Sequence, residues 1–229
     1  MHVEAIATLI QPPLRVVAPE LLDGEVTDFA ALAENLRDLR HVDTLLGVSR
    51  LMWRRVAPLL PAVHATLLDV ASGGCHGALR LSRLALRSGR ALTAIASDRL
   101  PDALRLGSGL RGGFDALALP LADGAVDVAT CALALHHFEP PAAAALLREL
   151  RRVARRGAVL VDLRRSWAGI GGALLLARGP WGAMASHDGP VSARRAYTVA
   201  EVRAIVADAG VAADVRGDGP LLLSVVCRA

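Results

Sequence analysis

The sequence predicts an α/β fold: a mostly parallel sheet, helices on both of its faces, and an antiparallel strand at one end. Three observations lead there. From about residue 66 onward, short apolar runs alternate with amphipathic helical stretches, the pattern of βαβ units. Apolar residues make up 53% of the 229 and aromatics only 3%, so the core is built of Ala, Val and Leu, which suits strands buried on both sides. The last two apolar runs follow one another with no helix between them, as antiparallel neighbours do.

Residues 1–62 read as an N-terminal helical cap. Asp28 to Leu46 puts Phe29, Leu32, Leu36, Leu39 and Val42 on one face at spacings of three and four. Thr27 is the expected N-cap and Gly47 the stop. A second helix is expected from Val48 to Leu60, before Pro61. Residues 63–229 form the α/β domain. Its first strand is Leu67 to Ala71, ending at a Gly-rich turn, with a helix over Gly77 to Arg87 and a second strand over Ala91 to Ser97. Sixteen residues separate Asp98 from Asp115, four of them glycines. A mean helix takes about 11 residues and a strand about 5, so the second helix or third strand must be cut short. Ala125 to Ala132 is the next strand. Pro140 to Arg155 is a helix with Pro in its first turn and Arg in its last, with Gly157 expected to close it before a strand over Ala158 to Leu163. Residues 164–196 are an insertion. Thr198 and Glu201 form a capping box for a helix to Ala209, stopped by Gly210. Strands near Val211 to Val215 and Leu221 to Cys227 end the chain.

The formal net charge is +4, and all 26 basic residues are Arg. Scattered Arg with abundant Ala and Gly reads as the codon usage of a GC-rich bacterial genome, and nucleic-acid binding is not expected. Cys75, Cys131 and Cys227 are far apart and show no metal-ligand spacing, so neither a disulfide framework nor a metal site is expected. With no secretory signal and no apolar run of about 18 residues, the expected location is the cytoplasm, without a membrane span.

In such sheets, ligands bind at the C-terminal strand ends. Four stretches lie there: Asp69 to Gly77, Asp98, Asp115, and the segment after Cys131. Asp98 ends the second strand, where a carboxylate can accept both hydroxyls of a ribose diol. The run DVASGGCHG from Asp69 resembles the strand-to-helix loop of class I S-adenosylmethionine-dependent methyltransferases, acidic-x-Gly-x-Gly-x-Gly. Asp69 holds the acidic position and Gly73 the second glycine. Ala71 and Cys75 stand in for the first and third, and the Cys75 side chain is expected to project toward the cofactor. The run FDALALPLADGAVDVATCALALHHF, Phe114 to Phe138, resembles the later motifs of that family more specifically. There the resemblance implies that Asp115 and Ala116 contact adenine and that Cys131 lies beside the sulfonium. DLRRS at Asp162 and HDGP at His187 resemble a subgroup of bacterial enzymes acting on small natural products.

The resemblance spans about residues 60 to 229. It implies a Rossmann-like class I methyltransferase fold, S-adenosylmethionine as cofactor, and a small apolar or phenolic acceptor methylated on oxygen or carbon. Arg50 is a candidate partner for the cofactor carboxylate. His187, in the insertion, and His136, after the fourth strand, are candidate acid/base groups. His137 is its neighbour, and Trp53, Trp167 and Trp181 are candidate pocket walls. The alternatives are an enzyme of this fold that has lost methyl transfer, which Cys75 and the shortened Asp98–Asp115 interval favour, and a non-catalytic binding subunit. A homodimer is left open.

Overall fold

The structure, a computed structural model, describes residues 12–24 and 28–228. Seven strands form one sheet in the order β3-β2-β1-β4-β5-β7-β6. They are β1 His64–Val70, β2 Ala91–Asp98, β3 Leu110–Gly113, β4 Val126–Ala132, β5 Ala154–Leu163, β6 Ala213–Asp218 and β7 Leu222–Arg228. The first five run parallel, and β7 is antiparallel to both β5 and β6. The helices are α1 Phe29–Leu46, α2 Val48–Val56, α3 His76–Arg87, α4 Pro101–Leu106, α5 Pro140–Val153, α6 Trp167–Leu176, α7 Ala183–Arg195 and α8 Val199–Ala209.

Side chains alternate between two packed layers, as the strand period of two requires. On one face Leu67, Val128, Val159 and Val161 meet Val48, Leu51, Met52 and Val56 of α2 and Leu81 of α3. On the other, Leu68, Ala129, Cys131 and Leu160 meet Leu146, Leu147 and Leu150 of α5 and Val202, Ile205 and Val206 of α8. Strand order runs outward from β1 to β3, then restarts on the other side of β1 with β4. That reversal opens a crevice above the C-terminal ends of β1 and β4, where ligands bind in open α/β sheets.

Several local expectations need correcting. The N-cap of α1 is Asp28, whose side chain accepts from the Ala30 and Ala31 amides; Thr27 lies outside the described residues. Gly47 does end α1, at φ 72°. α2 ends at Val56 and continues only as a short 3-10 turn over Ala57–Leu59. Gly157 does not close α5. That helix ends at Val153 and passes directly into β5, so Gly157 lies within the strand at φ 150°. A Cβ there would stand 2.5 Å from the Cys227 carbonyl oxygen. Both elements of the short interval survive in reduced form: α4 has six residues and β3 four. The capping box of Thr198 and Glu201 and the Gly210 stop of α8 are as the sequence predicts.

α1, α7 and the N-terminal stretch from Pro12 lie above the crevice instead of against the sheet. Leu32 and Leu36 of α1 pack on Ala103 of α4 and on Leu22. Asp38 accepts from the Gly182 amide at 2.8 Å, tying α1 to the insertion. Arg15 anchors the N-terminal stretch: it donates to the Arg195, His136 and Phe138 carbonyls and stacks 4.2 Å over the Tyr197 ring. Tyr197 in turn donates its hydroxyl to the Phe138 carbonyl at 2.6 Å. Among the described residues, no helix is long and apolar enough to cross a membrane.

Burial pushes the Tyr197 phenol up to about 12. A folded value above the unfolded one, about 10, means the protonated phenol contributes stability that is complete below pH 10. That contribution is lost as pH rises toward 12. Tyr197 is the chain's single tyrosine, so a phenolate absorbance titration reads it directly. The expected midpoint is near 12, with the denaturation midpoint falling over the same interval.

Candidate functional site

The crevice is a cavity of about 780 Å³. Its floor is the strand ends and its roof is α1, α7 and the N-terminal stretch. Asp69, Ala71, Gly73, Asp98, Asp115, Ala116 and His136 all line it.

The Gly-rich loop is organised from beneath by Asp69. Its carboxylate accepts from the Ser72 hydroxyl at 2.6 Å and the Thr130 hydroxyl at 2.7 Å. It also lies under the first turn of α3, where a Cβ on Gly77 would come within 2.7 Å of Oδ2. Gly77 is therefore required for the carboxylate to fit. Burial raises the Asp69 pKa against these hydrogen bonds. Asp69 thus acts chiefly as the residue that positions the loop. Asp98 stands opposite. Its Oδ2 accepts from the Gly73 amide and its Oδ1 from the Leu100 amide, at 2.8 and 2.9 Å. An ionised carboxylate has about four acceptor positions, so two remain for a ligand diol on the cavity side. Asp115 accepts from the Leu117 amide at 2.9 Å and forms the adjoining wall with Ala116 and Phe114.

Cys75 does not project into the cavity. It is fully buried and packs with Ala78, Ala96 and Leu104. It sits at φ 63°, and its sulfur fills the space where Gly107 has no side chain: a Cβ on Gly107 would lie 2.4 Å from Sγ and 2.8 Å from the Gly74 carbonyl oxygen. The cysteine in the loop and the shortened α4 are one compensated arrangement. Ala71 also takes a left-handed conformation, φ 54°.

Three other expected residues lie away from the cavity. Cys131 faces the layer of α5 and α8 with no exposure, because the strand's alternation turns it from the crevice. Arg50 is exposed and borders a separate groove with Trp53, Arg54 and Asp218. His187 is not in a turn: Gly189 and Pro190 lie inside α7, and His187 points outward, exposed and 2.8 Å from the Asp188 carboxylate. Of the tryptophans, Trp53 borders that other groove, Trp167 is 57% exposed, and Trp181 donates to the Leu176 carbonyl.

The roof surrounds the histidine pair with a polar cluster that sequence reasoning missed. Glu20, Asp23, His137, Asp188, Ser192 and Arg195 line the cavity around His136. The His136 Nδ1 is 2.7 Å from Asp162 Oδ1, and its backbone amide donates to Asp162 Oδ2. The His137 Nδ1 is 2.9 Å from Asp23 Oδ1. Both Nε2 atoms face Glu20, at 3.7 and 3.6 Å from its two oxygens. Burial opposes charging His136, but the Asp162 carboxylate outweighs it and raises that pKa. Burial and the neighbouring ring hold His137 down at about 4. Burial also raises Glu20. For Asp23, burial is outweighed by Arg195 and its hydrogen bonds, which bring it down to about 2. The roof is fastened through the same groups: Asp188 accepts from the Leu21 and Leu22 amides, Ser192 donates to Glu20, and Arg195 pairs with Asp23. These partners sit more than 100 residues apart in the chain, so no local pattern announces them. The pair His136–His137 was the one visible signal.

The sheet order, its antiparallel end pair and the flanking helices are those of the Rossmann-like methyltransferase fold. Residues 68–162 match the family described as "Methyltransferase domain", a span that holds the Gly-rich loop, Asp98, Asp115 and the histidine pair. A SAM-dependent methyltransferase from Aquifex aeolicus aligns with TM-score 0.52 at 21% identity, over 76% of this chain and 88% of its own. One from Methanosarcina mazei gives 0.53 at 15%, over 76% and 96%. Human N-acetylserotonin methyltransferase, solved in complex with SAM, gives 0.63 at 16%, over 93% of this chain and 60% of its own. These are likenesses of fold. No curated protein matches the chain in sequence.

Two substitutions test the loop. Gly107→Ala is expected to lower stability by about 1–3 kcal/mol through overpacking against Cys75. Ala71→Gly, which relieves a left-handed alanine, is expected to raise it by about 1 kcal/mol. Denaturant midpoints of both variants check the opposite signs.

Proposed function

We propose that the chain transfers a methyl group from S-adenosylmethionine to a hydroxyl on a small, largely apolar or phenolic acceptor. The observation that carries this is Asp98: a buried carboxylate at the end of β2, held by the Gly73 amide, with acceptor capacity left over on the cavity side.

The donor set fits the cofactor. Asp98 would take the ribose hydroxyls, Asp115 and Ala116 would border the adenine, and the backbone from Ala71 to Gly74 would lie along the amino-acid part. S-adenosylmethionine carries no phosphate, and the wall offers carboxylates instead of an anion cradle, which suits a ligand with a sulfonium and an ammonium. When bound, it supplies a methyl carbon already activated by that sulfonium.

The residues of the chain position and enclose. Leu32, Leu36, Met52, Phe114 and Phe138 give the cavity apolar walls, which exclude water and hold an apolar ring by burial. Its polar end is Glu20, His136 and His137, beneath α7. We assign the contact with the acceptor's hydroxyl to this end. Asp162 fixes the His136 ring so that Nε2 faces the cavity side of Glu20. His187, outside the cavity wall, has no part in the reaction on this reading. The cysteine that argued for a repurposed fold is turned away from the ligand space, which removes that ground for a different chemistry. The neighbour N-acetylserotonin methyltransferase lends support to a small acceptor.

Calorimetry with S-adenosylhomocysteine and the purified protein is the direct test, with micromolar binding expected. Asp98→Ala removes charged acceptors worth about 3 kcal/mol in all and is expected to weaken binding near a hundredfold. His187→Ala is expected to stay within twofold. No binding to a folded wild type at millimolar concentration would overturn the reading.

A further inference from the structure

The polar end of the cavity has a geometry that hydrogen bonding does not explain. Glu20 Oε1 stands 3.7 Å from His136 Nε2 and Oε2 stands 3.6 Å from His137 Nε2. Both distances exceed a hydrogen bond. The three ligand atoms lie within 4.8 Å of one another. A cation bonded to each at about 2.0–2.2 Å would sit between them after small side-chain rotations.

The surroundings match such a site in two further respects. Each imidazole has its other nitrogen on a carboxylate, His136 on Asp162 and His137 on Asp23. That carboxylate–histidine pairing is what fixes the tautomer and aims Nε2 at metal ions. The charge also suits a cation. Among the described residues, four carboxylates, Glu20, Asp23, Asp162 and Asp188, meet the guanidinium of Arg195, which pairs with Asp23 and stands 3.5 Å from Glu20 Oε1. Arg15, nearby, is paired with Glu139.

We propose that Glu20, His136 and His137 hold one divalent first-row transition-metal cation at the acceptor end of the cavity. Two imidazoles and one carboxylate select zinc, manganese or iron over magnesium or calcium, and three protein ligands leave coordination positions open. All three residues line the cavity, so the open positions face the ligand space. There the cation would bind the acceptor's oxygen, a role that rests on the methyltransferase reading; the binding of the cation does not. Glu20 comes from the N-terminal stretch and the histidines from the turn after β4, so the ion would also fasten roof to floor.

The test uses untagged full-length protein, stripped with chelator and titrated with Zn²⁺ or Co²⁺. One cation per chain is expected to bind saturably, with Co²⁺ giving the visible absorption of a low-coordinate nitrogen-ligated site. Glu20→Ala and His137→Ala are expected to lose at least a hundredfold in affinity, and His64→Ala, at an exposed histidine elsewhere, to stay within twofold. No saturable binding near one per chain, or unchanged affinity in both site variants, overturns the proposal. If the variants lose the wild-type fold, the Co²⁺-loaded wild type decides by NMR: paramagnetically shifted ring protons from two histidines support the site, and none overturns it. S-adenosylhomocysteine binding to the stripped protein, measured alongside, separates the two ideas. If it binds while the cation does not, only the metal site fails.

Discussion

A carboxylate buried beneath a helix organises everything at the working edge of this protein. Asp69 reaches from the end of β1 under the first turn of α3, gathers the Ser72 and Thr130 hydroxyls, and so links the Gly-rich loop to the neighbouring strand β4. An ionisable group at 2% exposure is tolerated only with its oxygens engaged, which leaves the loop one way to lie. That path points the Gly73 amide at Asp98, and Asp98 then holds both the loop and the turn into α4. Gly77 and Gly107 are small because this arrangement brings Asp69 and Cys75 to where their side chains would be.

The roof is held on different terms. The floor is apolar packing between sheet and helices, whereas the N-terminal stretch and α7 are joined by ions and by hydrogen bonds to main-chain groups: Arg15 to three carbonyls, Asp188 to two amides, Arg195 to Asp23. Contacts of this kind are directional and leave little freedom of register. They bring Glu20 across from the start of the chain to stand over the histidine pair.

Much of this was legible in the chain itself. Strand and helix order could be read because short apolar runs alternate with amphipathic helical stretches, and because Gly47, Gly210 and the Thr198–Glu201 box obey local rules. Gly157 misled because a glycine after a helix usually ends it; here it serves a close approach to β7. Asp69, Gly73, Asp98 and Asp115 were recognisable because motif spacing fixes their place at strand ends. Which way Cys75 and Cys131 face was not, since that depends on packing partners far off in the chain. Nor was the cluster of Glu20, His137 and Arg195, whose members meet only through tertiary structure. His187 drew attention by composition, and the helix it lies on turns it outward.

All three cysteines are free thiols sealed inside the fold, and they are spread across it. Cys75 sits under α3 at the side of β2, Cys131 in the central strand β4, and Cys227 on β7 of the antiparallel end. An alkylating reagent meets none of them on the closed molecule, so each adduct records an opening event. The chain thus carries its own set of local-unfolding reporters. Their separate exchange rates would rank how readily the left flank, the middle and the right flank of the sheet come apart, without a single engineered label.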